Sequence, residues 1–168
     1  MKRARQYIGI LAAAAAYYFV HEGTHLLCAV FFGTFKQIRF MGIGMLIDVY
    51  AERMTDGQMA LFCIAGVVAT LLTGTVLAAL AKKINHIKSK LLRAVVYYIT
   101  IALLLLDPLY LSILCGFFGG GDMNGISLLC PEWIARSVFA GLLIINAWIF
   151  WKRVLPVYRE SFSNEAET

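Results

Sequence analysis

Residues 21–25 read His-Glu-Gly-Thr-His, the pattern H-E-x-x-H of a zinc site on a helix. Side chains at positions i and i+4 of an α-helix lie on one face, so His21 and His25 can each direct a ring nitrogen at one metal ion. Zinc lowers the pKa of a bound water to about 7, and Glu22 stands close enough to take a proton from that water. The pattern predicts one zinc ion per chain, with Glu22 as the catalytic base.

These three side chains lie within a long apolar run, from Tyr7 to Phe32. The pattern also occurs by chance, and on a soluble surface helix such residues cost nothing. At the centre of a membrane span, each ionisable group costs roughly 2.5 to 3.5 kcal/mol on insertion scales. Three such groups within about one turn therefore favour a metal site.

A catalytic zinc site needs a third protein ligand and an open position for water. His86 lies in a basic connection, where we expect it to be solvated, so two aspartates remain. Asp122 stands in Gly-Gly-Gly-Asp-Met-Asn-Gly, where glycines let the backbone turn and approach another helix closely. Asp107 precedes Pro108 inside an apolar span, where a helix kink also explains it. The sequence favours Asp122 as the third ligand and leaves Asp107 as the alternative.

The composition is typical of a membrane protein. Of the 168 residues, 61% are hydrophobic and 15% are charged, whereas soluble domains are about half apolar and a quarter charged. Four apolar segments reach the roughly 20 residues that an α-helix needs to cross the hydrocarbon core. They are Tyr7–Phe32, Gln58–Ala81, Ala94–Phe118 and Trp133–Trp151. We expect an all-α membrane protein with about four transmembrane helices, formed by a single integral-membrane domain (residues 1–155) and a polar C-terminal tail (residues 156–168) that frays.

The connection after the first span, residues 33–57, has a different character. Its β-branched and aromatic residues flank Gly42 and Gly44, and this combination predicts a short β-hairpin. We expect the hairpin to lie at the membrane face or to dip into it.

The basic residues are distributed unevenly between the two sides that four spans would create. Eleven of the fifteen lie in the N-terminus, the second connection and the C-terminus: Lys2, Arg3, Arg5, Lys82, Lys83, Lys88, Lys90, Arg93, Lys152, Arg153 and Arg159. Cytoplasmic segments carry an excess of lysine and arginine. The distribution therefore predicts that both termini are cytoplasmic, and it explains the net charge of +5 without nucleic acid binding.

The order of these features resembles the site-2 proteases, which are intramembrane zinc metalloproteases. The matching stretches are "VHEGTHLLCAVFFG", "FKQIRFMGIGMLIDV" and "GGGDMNGI", within residues 7–130. The resemblance implies zinc ligands at His21, His25 and Asp122, with Glu22 as the catalytic base. The sequence departs from the family pattern, because Thr24 replaces a glycine and Gly121 replaces a leucine. In addition, the family's asparagine and proline upstream of the aspartate have no clear counterpart here. The best-known family members also keep their site near the cytoplasmic face, whereas the charge distribution puts this end of the first span on the other side.

The resulting functional expectation is an intramembrane zinc endopeptidase that cleaves a membrane-anchored protein within the lipid bilayer, with a regulatory membrane protein as a possible further partner. Asn124 is a candidate for contact with the substrate, and turn formation is its alternative role. Two other classes remain open. The first is a metal-binding or metal-transporting membrane protein, and the second is a non-catalytic scaffold derived from a protease.

Overall fold

The computed structural model describes residues 2–41 and 44–163, which are mostly helical. Helix α1 (Lys2–Phe31) is followed by the strands β1 (Phe35–Met41) and β2 (Gly44–Val49), and a 3-10 turn (Ala51–Arg53) precedes the next helix. The remaining helices are α2 (Asp56–Ala79), α3 (Ala81–Ile84), α4 (Lys90–Leu109), α5 (Cys115–Phe118), α6 (Gly121–Ile126), α7 (Glu132–Ile149) and α8 (Leu155–Ser163). A π-helical segment (Tyr110–Leu114) joins α4 to α5, and a second (Phe150–Val154) joins α7 to α8.

Three continuous helical segments in the described part of the chain are long and apolar enough to cross a membrane. They are Asp56–Ala79, Lys90–Phe118 and Glu132–Glu160. Helix α1, which contains the first of the four expected spans, is not among them. Its basic N-terminal residues and its polar stretch from His21 to His25 both lower its mean hydropathy. The structure therefore supports a membrane protein with three candidate spans.

Helix α1 lies against α2 and α4, and small residues allow close helix contacts. A Cβ placed on Gly9 of α1 would lie 2.4 Å from the ring of Tyr98 on α4. A Cβ on Gly74 of α2 would lie 3.1 Å from the backbone of Leu103, also on α4. Side chains at these positions would push the helices apart. Helices α1, α2 and α4 therefore pack closely against one another.

Pro108 lies inside α4, and the π-helical segment begins two residues after it. Proline has no N–H, so the carbonyl of Leu104 loses its usual partner within the helix. The amide nitrogen of Asn146 on α7 donates to that carbonyl at 2.9 Å. In the π-helical segment that follows, Arg136 of α7 donates to the carbonyl of Ser112 at 3.1 Å. Helix α7 thus satisfies backbone groups that the irregular part of the third span leaves free.

The predicted hairpin is present as an antiparallel pair, with Ile38 opposite Ile47 and Arg39 opposite Leu46. Gly44 begins β2, whereas Gly42 lies outside the described residues. Across the strands, Arg39 donates to both carboxylate oxygens of Asp48 at 2.7 Å. Strand β2 lies beside α1, and Ile47 is buried there. The hairpin therefore packs against the helix that carries the H-E-x-x-H pattern.

The C-terminal segment is more ordered than the expected polar tail. Helix α8 runs from Leu155 to Ser163, and its residue Tyr158 is only 1% exposed. The ring of Tyr158 packs against Tyr97 of α4, with ring centroids 5.0 Å apart. This apolar contact holds the helix past residue 156, where we expected fraying to begin. Residues 164–168 of the predicted tail lie outside the described part of the chain.

Candidate metal centre

His21 and His25 stand one turn apart on α1 and are both buried, at 6% and 3% exposure. Their Nε2 atoms lie 3.1 Å from each other. Asp122 of α6 completes the group, because its Oδ2 is 3.1 Å from the Nε2 of His21 and its Oδ1 is 3.4 Å from the Nε2 of His25. The helical spacing places the two histidines, and the fold brings Asp122 to them.

The glycines around Asp122 do what the sequence predicted of them. Gly119 and Gly121 have φ angles of 99° and 38°, which favour glycine. A Cβ on Gly125 would lie only 2.3 Å from the Sγ of Cys63 on α2. The chain therefore turns sharply after α5, and α6 approaches α2 closely enough to bring Asp122 to the histidines.

The hydrogen bonds at the outer edges of the two imidazoles determine what faces inward. The Nδ1 of His25 lies 2.9 Å from the carbonyl oxygen of Phe62, and the Nδ1 of His21 lies 3.3 Å from Oδ2 of Asp107. Carbonyls and carboxylates only accept hydrogen bonds, so each Nδ1 carries the ring proton. In the neutral rings, both Nε2 lone pairs then point toward the Asp122 carboxylate. Three acceptors facing one another repel unless a cation stands among them.

The distances among these three atoms suit a metal ion. Four ligands placed tetrahedrally at 2.0 to 2.1 Å from a metal are about 3.3 Å from one another. The observed separations of 3.1, 3.1 and 3.4 Å lie close to that value.

Glu22 is also buried, at 7% exposure, and follows His21 directly on α1. Its carboxylate interacts electrostatically with the backbone of Ile47 in β2. Glu22 is not one of the three side chains whose ligand atoms converge. It therefore stands beside the candidate metal-binding group and close to strand β2 of the hairpin.

The other sequence candidates lie outside this group. Asp107 contacts His21 at Nδ1, the ring nitrogen away from the converging atoms. Asn124 is exposed, and its amide oxygen lies over Gly120, so close that a Cβ there would be 2.0 Å away. His86 is exposed, and its Nδ1 lies 2.7 Å from the carbonyl of Lys82. The structure thus brings Asp122 to the two histidines and leaves Asp107, Asn124 and His86 away from the point where the three ligand atoms meet.

Sequence reasoning missed three residues at the centre. Tyr17 precedes His21 by four positions, and its hydroxyl donates to Asp107. Thr70 of α2 also donates to Asp107, and Gly66, four positions earlier, lies against both histidine rings. The i, i+4 spacing within each pair was a signal for a shared helix face. The sequence held no signal that those faces meet.

Comparison of the chain with family models, with curated proteins and with solved structures finds no match.

Proposed function

We propose that this protein is an intramembrane zinc metalloendopeptidase that hydrolyses a peptide bond of a membrane-anchored protein. The observation that carries the proposal is the convergence of three acceptors, from the buried His21 and His25 and the partly buried Asp122, with Glu22 directly beside them. Three protein ligands leave a fourth position for water, which is the arrangement of catalytic rather than structural zinc sites.

In this mechanism, a bound zinc ion would acidify the water and polarise the scissile carbonyl. His21, His25 and Asp122 would hold the ion. Glu22 takes the proton from the attacking water and delivers it to the leaving amine nitrogen. The buried position of Glu22 limits competition from bulk water during this transfer.

The hairpin is a second feature that favours a peptide as the substrate. A helical substrate shields its carbonyls in its own hydrogen bonds, so it must unwind before it is cleaved, and an extended peptide can pair with a free strand edge. The backbone of Ile47 in β2 lies beside Glu22, and the hairpin exposes the apolar side chains of Ile38, Phe40 and Leu46. We expect the hairpin to hold the unwound segment against the catalytic base, with Asn124 as a further contact.

We also propose that α1 crosses the membrane as a fourth span, so that both termini are cytoplasmic. Its close packing on α2 and α4 supports this arrangement, as do exposed apolar side chains such as Phe19 and Leu27. With eleven of fifteen basic residues then on one side, the chain follows the positive-inside rule. The substrate reaches the site within the lipid bilayer, and a membrane protein partner could regulate its access.

The decisive variant is Glu22→Gln, which keeps the shape of the side chain but removes its ability to accept a proton. In proteoliposomes containing a pool of single-span peptides, we expect cleavage to fall by about 10² to 10⁴, while elemental analysis still finds one zinc per chain. Glu52→Gln is the matched control, because Glu52 is exposed in the turn before α2. Cleavage by Glu22→Gln at the wild-type rate would refute the mechanism.

A wild-type protein that binds zinc and cleaves none of the peptides would instead indicate a non-catalytic scaffold derived from a protease. Zinc flux into vesicles that disappears in His21→Ala would indicate a transporter, which is the other competing function. The clustering of buried ionisable groups around one point speaks against a transport path among the described residues, since such paths carry ionisable groups along their length.

A further inference from the structure

Asp107 is a buried carboxylate that the proposed mechanism does not use. It is 2% exposed and lies in the middle of the candidate span Lys90–Phe118. Such a group is costly in an apolar environment unless hydrogen bonds compensate for its lost hydration. Donors from two other helices surround it: the hydroxyl of Tyr17 on α1, the hydroxyl of Thr70 on α2, and the Nδ1 of His21 at 3.3 Å.

We propose that Asp107 is a positioning residue of the metal centre, which orients the imidazole of His21, and that Tyr17 and Thr70 hold Asp107 in place. The inference rests on the proposed metal site and adds a role for residues that do not touch the metal. A carboxylate on the outer nitrogen of a metal-binding histidine fixes the tautomer and makes the inner nitrogen a stronger ligand.

The geometry separates this role from that of a ligand. The two nitrogens of an imidazole lie on different edges of the ring, and Asp107 contacts Nδ1 whereas Nε2 of His21 faces Asp122. The hydroxyl of Tyr17 donates to Oδ1 of Asp107. The hydroxyl of Thr70 and the Nδ1 of His21 both contact Oδ2. Both carboxylate oxygens are therefore engaged on the side of His21 away from the metal-binding group.

Tyr17 contributes in a second way, because its ring stacks on His21 with a centroid distance of 5.2 Å and an interplanar angle of 22°. The stacking restricts rotation of the imidazole, while its hydroxyl restrains the carboxylate. His25 lacks a charged partner of this kind, since its Nδ1 faces the neutral carbonyl of Phe62. We therefore expect His21 to depend on its outer partner more than His25 does.

Metal affinity tests this role without any need for a substrate. Purified wild type and Asp107→Asn are titrated with Zn²⁺ against a chromophoric chelator, and with Co²⁺ by visible absorption, which reports the number of ligands. We expect Asp107→Asn to bind one metal about 10- to 100-fold more weakly, with the wild-type Co²⁺ spectrum at saturation. Tyr17→Phe and Thr70→Val should weaken binding in the same direction by a smaller factor.

The controls remove similar groups that make none of these contacts. Tyr18→Phe removes the hydroxyl of the adjacent tyrosine, and Thr100→Val removes a buried hydroxyl that donates to the carbonyl of Val96 within its own helix. Both should bind Zn²⁺ with the wild-type affinity.

Two results would overturn the proposal. Wild-type affinity in Asp107→Asn would show that His21 needs no positioning, and a saturated Co²⁺ spectrum with one ligand fewer would make Asp107 a direct ligand. If Asp107→Asn does not purify as a folded protein, the double variant Tyr17→Phe/Thr70→Val decides, and unchanged affinity there overturns the role. Weakened binding in a protein that cleaves no peptide would sink only the protease proposal, because the readout is metal affinity alone.

Discussion

Gly66 of α2 leaves the space in which the two histidine rings stand. A Cβ at this position would lie 2.7 Å from Nε2 of His25 and 3.1 Å from Cε1 of His21. The first of these atoms belongs to the three side chains that converge, so a methyl group would press directly on the candidate metal-binding group. A glycine in the interior of α2 is otherwise unfavourable, since it costs about 0.5 to 1 kcal/mol relative to alanine.

Gly66→Ala should therefore lower the affinity for Zn²⁺ by about 10-fold or more, the scale at which disturbing the surroundings of a ligand acts. Competition with a chelator measures the change. Gly57→Ala, in the first turn of the same helix, is the matched control because nothing lies within 4 Å of its added Cβ. Equal zinc affinity in Gly66→Ala and Gly57→Ala would mean that the histidine rings do not stand against α2.

Among the elements, the hairpin has the most direct connection to the chemistry. It has only two strands, and an isolated hairpin of this size is marginally stable in water. Its stability here depends on the burial of Ile47 against the helices and on polar contacts between its strands. Gln37 and Arg39 on β1 both donate to the carboxylate of Asp48 on β2. Loosening of these contacts would release the strand that lies beside Glu22.

These contacts make the hairpin sensitive to acid. Hydrogen bonds from Gln37, and next those from Arg39, lower the pKa of Asp48 below its ordinary value. A carboxyl group whose pKa is lowered by folding stabilises the fold above its unfolded pKa of about 3.9. That contribution is lost as the pH falls through the lower folded value.

Hydrogen exchange measured by mass spectrometry over residues 35–49 checks this, with Asp48→Asn measured at each pH to cancel the intrinsic pH effect. At pH 7 we expect the wild type to exchange more slowly than Asp48→Asn, by a few-fold at most, because exposed ion pairs contribute little. The difference should vanish once the pH has fallen below the lowered folded pKa of Asp48. A difference that persists or grows in acid would show that the Asp48 carboxylate does not stabilise the hairpin in this way.

The whole molecule presents an apolar surface that suits lipid. Trp133 and Trp151, both largely exposed, stand near the two ends of the segment formed by α7 and the π-helix after it. At 1.5 Å per residue they are about 27 Å apart along the axis. That distance is close to the roughly 30 Å of the hydrocarbon core. Tryptophans at this spacing suit the two interfaces of a membrane, where such side chains concentrate.

Reporter fusions test the proposed topology of the whole chain. With four spans and cytoplasmic termini, alkaline phosphatase should be active after residue 54 and after residue 131, since it folds only outside the cytoplasm. Green fluorescent protein should fluoresce after residue 88 and after residue 168.

Fluorescence after residue 54 would show that α1 does not cross in this direction. If the reporters are reversed at all four sites, the metal centre lies toward the cytoplasm, as the family resemblance implies and the charge distribution does not.

Local geometry explains how much of this protein could be predicted from its sequence. The i, i+4 spacing places His21 and His25 side by side in any α-helix, whatever surrounds it. Hydrophobic length predicted the three helices that the structure supports as candidate spans, and the glycines among β-branched residues predicted the hairpin. For α1, length and hydropathy gave different answers, because its basic N-terminal residues and the polar residues of the candidate metal centre both lie in it.

Only the tertiary structure decided which groups meet across helices. From the sequence, Asp107 and Asp122 were both candidates for the third ligand. The packing of α4 puts Asp107 at Nδ1 of His21, whereas the turn before α6 puts Asp122 at Nε2. Gly66, Tyr17 and Thr70 have their roles through contacts between separate helices. The arrangement of three converging acceptors depends on how α1, α2, α4 and α6 pack, and no pattern within a single segment specifies it.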